Sequence, residues 1–254
     1  MSSINKVVIL GTGNVAWHLS FALFKSGREI VQVFGRNSTQ TAEIAQRVLA
    51  QPISNFNQID EDADLYLLCI SDKSIADVAN NIPDVNGIVA HTSGSVPLNV
   101  LNQFHESGVF YPLQTFKKGA DFDFENVPIL CEGSSGPAES ALMSLGFEIS
   151  QNVFSINSEQ RQKLHVAAVI ANNFTNYLFA QAYKLCTENN IPFEALHPLI
   201  LETARKATLG NPADYQTGPA HRKDEETINK HLQLIDNSAL RELYKQITKR
   251  IEEQ

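Results

Sequence analysis

One segment constrains this chain more than any other: Val7-Val8-Ile9-Leu10-Gly11-Thr12-Gly13-Asn14-Val15-Ala16. An apolar run leads straight into G-x-G-x-x-A, and a helical pattern begins at Asn14. Glycine at 11 permits a tight turn. Glycine at 13 carries no Cβ, so a pyrophosphate can approach the backbone, and Ala16 lets the helix pack close to the strand. The start of such a helix presents free N–H groups and the positive end of its dipole. Gly11, Thr12, Gly13, Asn14, Val15 and Ala16 are therefore candidate cofactor-binding residues.

The surrounding pattern places this turn in a larger fold. Strands are expected at Ile4–Leu10, Ile30–Phe34, Leu65–Ile70 and Ile88–His91, with helices over Asn14–Ser26 and Thr41–Leu49. The almost wholly apolar Leu65–Ile70 suits a parallel strand covered on both faces. Strands alternating with helices imply βαβ units. Val109–Leu113, Pro128–Cys131 and Phe147–Ser150 read as further strands at the sheet edge. After about Val153 the texture changes. Asn157 with Gln160 forms a helix N-cap signal, and neither Gly nor Pro occurs from there to about Glu188, which predicts a single helix roughly 45 Å long. Helices are also expected at Glu194–Thr208, Asp224–Ile235 and Ala239–Glu252. The fold class expected is α/β: a Rossmann-type, doubly wound, mostly parallel sheet over 1–153, then an all-helical domain over 154–254.

The end of the second strand refines the cofactor. An NAD-binding chain usually has Asp or Glu there for the ribose 2′-OH. Here the residues are Phe34-Gly35-Arg36-Asn37-Ser38. Arg36 is suited to a 2′-phosphate by charge-assisted hydrogen bonds, and Asn37 and Ser38 can donate to it or cap the next helix. NADP is expected over NAD.

Ligands of open α/β sheets lie beyond the carboxyl ends of the strands. Ile70 and Ser71 follow one such strand and can pass the nicotinamide ribose; Asp72 equally suits a helix N-cap. His91-Thr92-Ser93-Gly94-Ser95 follows the next strand. Its hydroxyls and imidazole can hold a substrate carboxylate or carbonyl, or form an ordinary turn. Tyr111 and Gln114 lie in a third loop, on the cleft or in the core.

The long helix carries two stripes. Leu164, Ala168, Ala171, Thr175, Leu178, Ala182 and Leu185 form a narrow face of mostly small residues suited to close helix packing or dimerisation. His165, Asn172 and Asn176 recur at seven and four residues, with Asn173 about 100° from Asn172. They can act as substrate donors, with His165 as general acid or base, or be satisfied by neighbouring helices. His221-Arg222-Lys223 concentrates positive charge in a loop, for a substrate carboxylate or a cofactor phosphate, or as a solvated surface.

The 254 residues hold 28 acidic and 20 basic side chains, a formal charge of −8 with no basic block, which argues against nucleic acid or an anionic membrane as partner. No stretch reaches the roughly 20 apolar residues of a membrane span. The N-terminus has no signal-peptide pattern. Cys69, Cys131 and Cys186 form neither metal-ligand spacing nor a disulfide framework. A cytoplasmic protein with no metal is expected.

Together, Gly11–Ala16, His91-Thr92-Ser93-Gly94, Pro112-Leu113-Gln114-Thr115-Phe116, the stretch from Leu164-His165 to Asn172-Asn173, and Thr217-Gly218-Pro219 with Arg222 resemble a family. It consists of Rossmann-like proteins with a helical domain of unknown function 2520, described as NADP oxidoreductases whose reaction is unassigned. More widely the chain is similar to the group of β-hydroxyacid dehydrogenases, pyrroline-carboxylate reductases and 6-phosphogluconate dehydrogenases. In those enzymes the helical domain often forms the dimer, and several use an Asn with a Lys one turn before it. Here Asn172 or Asn173 matches, but Ala168 or Val169 stands at the lysine position, leaving His165 or Lys163 as substitutes. Relatives often read Gly-Pro-x-x-Arg-Gly-Asp, where this chain has Lys223 for the second glycine, and His-Pro where it has Tyr111-Pro112.

The function expected is hydride transfer between NADP(H) and a small metabolite bound between the two domains of a homodimer. Ser93 and Asn172 would orient the substrate and His165 would move the proton. His91, Thr92, Gly94, Asn173, Asn176, His221 and Arg222 would complete the substrate site. The alternative is a non-catalytic NADP-binding sensor or partner-binding dimer, which the missing lysine favours.

Overall fold

A computed structural model describes residues 4–120 and 123–254. Its centre is strand β1 (Lys6–Leu10), followed by helix α1 (Asn14–Lys25), β2 (Glu29–Phe34), α2 (Ser38–Arg47) and the short β3 (Gln51–Ile53). The chain then crosses to β4 (Leu65–Leu68), α3 (Ile75–Ala79), β5 (Ile88–His91) and β6 (Ser107–Pro112). It continues through β7 (Ile129–Gly133), α4 (Gly136–Phe147) and β8 (Val153–Ser155). Among the described residues one sheet forms, in the order β3-β2-β1-β4-β5-β6-β7-β8. All neighbours are parallel except β6 and β7. The order reverses direction at β1, which sets the switch point of a doubly wound sheet.

Side chains alternate across the strands and are buried on both faces. Val7, Ile9, Leu65 and Leu67 join one apolar cluster, packed with α1, α2 and α4. Val8, Leu10, Tyr66 and Leu68 join the other, packed with α3. The Tyr66 hydroxyl, buried with its ring, donates to Asp60 O at 2.6 Å.

The edge differs from the sequence reading. Phe147–Ser150 is not a strand: Phe147 ends α4, and the strand is Val153–Ser155. Ser135 caps α4 by accepting from the Ala138 N–H, and Pro137 sits in its first turn. Ala138, Leu142, Leu145 and Gly146 then line one buried face at helical spacing. Strand β3 was not signalled; it is three residues long with Pro52 in it, as an edge position tolerates.

The chain divides into two compact units, Met1–Ala171 and Asn172–Gln254. Helix α5 (Ser158–Ala168) belongs to the first. Its expected cap is present in both arms: Gln160 N–H donates to Asn157 Oδ1 at 2.9 Å, and Asn157 N–H to Gln160 Oε1 at 3.3 Å. The expected uninterrupted α-helix to Glu188 is not found. Val169–Phe174 is π-helical, and α6 (Thr175–Glu188) follows. A π turn takes more residues than an α turn. The seven-residue alignment of His165 with Asn172, and the four-and-three spacing of the small-residue face, therefore do not follow from α-helical geometry.

The second unit contains α6, α7 (His197–Ala207), α8 (Glu225–Leu234) and α9 (Ser238–Glu252), with Asp224 and Asn237 as N-caps of the last two. Its buried apolar residues are few: Cys186, Ala220, Ile228 and Ile235. No residue of α7 or α9 is buried, and Leu199 and Leu201 of α7 are 63% and 70% exposed.

Candidate active site

A cleft of about 710 Å³ opens in the first unit beyond the carboxyl ends of β1, β2, β4, β5 and β6. Its first wall is the turn after β1. Cys69 N–H donates to Leu10 O at 2.7 Å and Gly11 N–H to Phe34 O at 2.9 Å, pinning the turn between two neighbouring strands. Gly11 has φ +128°, and a Cβ there would lie 2.1 Å from the Cys69 carbonyl oxygen. No residue but glycine fits. Gly13 is the N-cap of α1, and a Cβ there would meet no atom within 4 Å. The backbone is thus bare on its cleft side, with the first turn of α1 behind it. Thr12, Asn14 and Val15 also line the cleft. Ala16 is fully buried beneath, in the helix–sheet packing.

At the end of β2, Arg36 is exposed on the cleft and has no hydrogen-bond or ion-pair partner among the described residues. Asn37 caps α2, accepting from Gln40 N–H at 3.0 Å. Ser38 therefore begins the helix, exposed and off the cleft wall. Gln40 was not foreseen. Its Oε1 accepts from Thr12 Oγ1 at 3.1 Å and so ties the two loops together. Phe34 and Phe56 stack at 4.4 Å and give this end of the cleft an apolar wall.

Past β4, Ile70, Ser71 and Asp72 line the cleft, and Ser71 Oγ bonds Ser74 Oγ at 2.9 Å. Burial pushes the Cys69 thiol up to about 12, so it stays protonated.

The loop after β5 splits the expected substrate residues by role. His91 is fully buried at the end of β5 and is not on the cleft wall. Its Nδ1 accepts from Ser93 N–H at 3.2 Å. Burial first, then the Arg161 charge, push its imidazole down to about 4, so it is neutral near pH 7. Buried behind the wall, it supports the loop through the Ser93 N–H. The Thr92 hydroxyl donates to Leu68 O at 3.2 Å. Ser93 Oγ accepts from both Ser95 N–H and Val96 N–H at 3.0 Å. With both lone pairs engaged, its proton is the part left to donate into the cleft.

Gly94, Tyr111 and His165 close this end. Tyr111 Oη lies 2.9 Å from His165 Nδ1, and the two rings meet edge to face at 5.9 Å. Gly94 is the seat of the pair: a Cβ there would fall 2.6 Å from His165 Nδ1 and 2.8 Å from Tyr111 Cζ. Burial, then the Asp72 charge, raise the Tyr111 phenol above its ordinary value, with Arg161 opposing. The phenol therefore stays protonated.

One turn before His165, the fully buried Arg161 holds α5 in place. It pairs with Glu132 of β7 through Nη1, and its Nη2 donates to Val96 O at 2.5 Å. Glu132 also accepts from Ser158 N–H and Oγ, and Ser158 Oγ accepts from Leu98 N–H at 2.9 Å. This network joins β7, the loop after β5 and the start of α5. Arg161 and Glu132 went unrecognised in the sequence because 29 positions separate them and each reads alone as a surface charge.

Of the other expected substrate residues, Asn172 and Asn173 lie in the π-helical segment and Asn176 in the first turn of α6. His221 and Arg222 lie in the turn before α8, where Gly218 has φ +107°. All five belong to the second unit and are exposed.

Residues 2–115 match the model of a Rossmann-like domain, and residues 127–251 match the domain of unknown function DUF2520. A candidate NADP oxidoreductase of Bacteroides fragilis is 37% identical over 99% of each chain, with a TM-score of 0.91. A reductive aminase of Aspergillus terreus, in complex with NADPH and ethyl-5-oxohexanoate, is 13% identical over 98% of this chain and 93% of its own (TM-score 0.73). A 1-pyrroline-5-carboxylate reductase of Streptococcus pyogenes is 15% identical over 98% of each chain (TM-score 0.61). At such identities the last two show a shared fold. None of the curated proteins matches the chain.

Proposed function

Because the chain belongs to the family of Rossmann-like proteins that carry the DUF2520 domain, we propose that it is an NADP(H)-dependent oxidoreductase acting on a small metabolite. One observation carries this reading: the bare Gly11–Gly13 turn and the Tyr111–His165 pair line the same cleft. The residues present fit the cofactor. The open space at Gly13 admits a pyrophosphate against the N-terminus of α1. Arg36, unpartnered and exposed, suits a 2′-phosphate, and no carboxylate stands at the end of β2 to favour NAD. Thr12, Asn14, Val15 and Asn37 would complete the hold on that end, and Ile70 and Ser71, on the same cleft wall, would flank the nicotinamide ribose.

When bound, the nicotinamide supplies or accepts the hydride. The chain does the rest. The Ser93 proton orients an acceptor atom of the substrate, and His165 moves a proton. An imidazole bonded to a phenol in the cleft is what an enzyme needs and a sensor does not, which favours catalysis over the non-catalytic reading.

The exposed apolar side chains of α6 and α7 support a homodimer formed through the helical half. The cysteines are free and buried, and among the described residues no helix is long and apolar enough to cross a membrane. Both fit a cytoplasmic protein.

The test is NADPH consumption, followed at the nicotinamide absorbance, with a panel of aldehydes, ketones, 2-oxo acids and cyclic imines. NADPH-dependent turnover of a panel member is the expected result. A protein that neither binds NADPH nor turns over any compound overturns the reading.

A further inference from the structure

We propose that Tyr111, not His165, is the group that hands the proton to the substrate, and that His165 reloads it from behind. The inference rests on the NADP-dependent reading above and adds a residue to its chemistry. Tyr111 and His165 come from β6 and α5, 54 positions apart, and are joined Oη to Nδ1 at 2.9 Å. Both line the cleft that the Gly11–Gly13 turn opens on. Gly94 lets them meet over the loop that presents Ser93, since any Cβ there would collide with both rings. Arg161, one turn before His165 and fixed to Glu132 and Val96, holds α5 in this register.

The direction of transfer follows from what each group can hold. A phenol kept protonated by burial and by the Asp72 charge is a donor at neutral pH. His165 is half-buried, so it can exchange protons with water. A protonated imidazole donates Nδ1–H to the phenol oxygen, which leaves the phenol proton free to point into the cleft. The reaction balances as a two-electron reduction of C=O or neutral C=N. The carbon receives the hydride of NADPH, and the oxygen or nitrogen receives the Tyr111 proton. Tyr111 Oη takes the proton of His165 Nδ1, the imidazole becomes neutral, and water restores its proton. With Ser93 the cleft then presents two hydroxyl donors, so the reacting group of the substrate is a lone-pair acceptor. The charged groups bearing on the Tyr111 phenol are Asp72, after β4, and Arg161, on α5.

The test compares wild type, Tyr111→Phe and His165→Gln with NADPH and the carbonyl and imine panel. Tyr111→Phe should lose about 10²–10⁴-fold in kcat, with NADPH affinity within about threefold of wild type. His165→Gln should lose less, about 10-fold or below, because it removes the group that reloads Tyr111 and leaves the phenol donor in place. A second readout needs no turnover: in ¹⁵N-histidine spectra of the protein without cofactor, Tyr111→Phe should shift His165 Nδ1. Tyr111→Phe turnover close to wild type, or an unmoved Nδ1 resonance, overturns the proposal. So does a wild type that binds NADPH and reduces nothing in the panel. Failure to bind NADPH overturns instead the reading on which it rests.

Discussion

The Gly11 Cα and the Cys69 carbonyl oxygen approach so closely that a Cβ on Gly11 would lie 2.1 Å from that oxygen. Gly13, two residues on, has open space around its missing Cβ. The same substitution should therefore act oppositely at the two positions. Gly11→Ala meets both the backbone contact and a positive φ, and should cost at least about 1–3 kcal/mol of stability together with NADPH binding. Gly13→Ala, at φ −79°, should leave the melting temperature within about 2 °C of wild type. It should still weaken NADPH about tenfold or more, because its methyl occupies the phosphate approach. Thermal melts and NADPH titrations of the two variants separate these outcomes.

The buried pair Arg161–Glu132 is a second point of stress. Arg161 is fully buried and Glu132 nearly so. Removing one partner leaves an uncompensated charge, so Arg161→Leu should destabilise the chain by about 3–5 kcal/mol. The double variant Arg161→Leu with Glu132→Leu should recover part of that loss. Urea unfolding measures both. A single variant as stable as wild type would mean that the pair does not anchor α5.

The pH dependence of stability should carry the mark of His91. Its folded-state value lies at about 4, below the ordinary 6.5, because burial and Arg161 disfavour the imidazolium. Between those two values the unfolded chain binds a proton that the folded chain refuses. Unfolding free energy is therefore full above about 6.5 and declines as the pH falls toward 4, by roughly 3 kcal/mol in total from this group. His91→Asn should flatten this slope in urea unfolding between pH 4 and 7, and an unchanged slope would assign it to other groups.

The helical unit presents Leu199, Leu201, Phe174 and Tyr177 to solvent. A second copy of the chain is the expected cover. Sedimentation should show a two-chain species, and Leu201→Arg should shift it to one chain with its helical circular dichroism unchanged. A monomeric wild type would contradict the dimer.

How much of this was legible depended on how local each cause is. The Gly11–Ala16 turn, the Asn157 cap and the four central strands are set by neighbours in the chain, and the sequence displays them. Ser93 could be named as a cleft residue, but its donor-only character required the Ser95 and Val96 amides. Tyr111 could be placed on the cleft or in the core and not decided, because its partner His165 lies 54 positions away. His91 looked like a ligand because it follows an apolar strand, and only the fully covered end of β5 makes it a support. The π turn at Val169–Phe174 has no residue signal that distinguishes it from an α-helix, so the alignment expected of His165, Asn172 and Asn176 could not be checked by counting.

Calorimetric titration of NADPH and NADH, separately, into wild type and Arg36→Ala decides whether this cleft is built for NADP. Wild type should bind NADPH at least about tenfold more tightly than NADH. Arg36→Ala should lose that preference, by about 1.5–3 kcal/mol for a charged hydrogen bond to phosphate. Binding of neither nucleotide at micromolar concentration, or a preference that survives Arg36→Ala, would contradict that assignment.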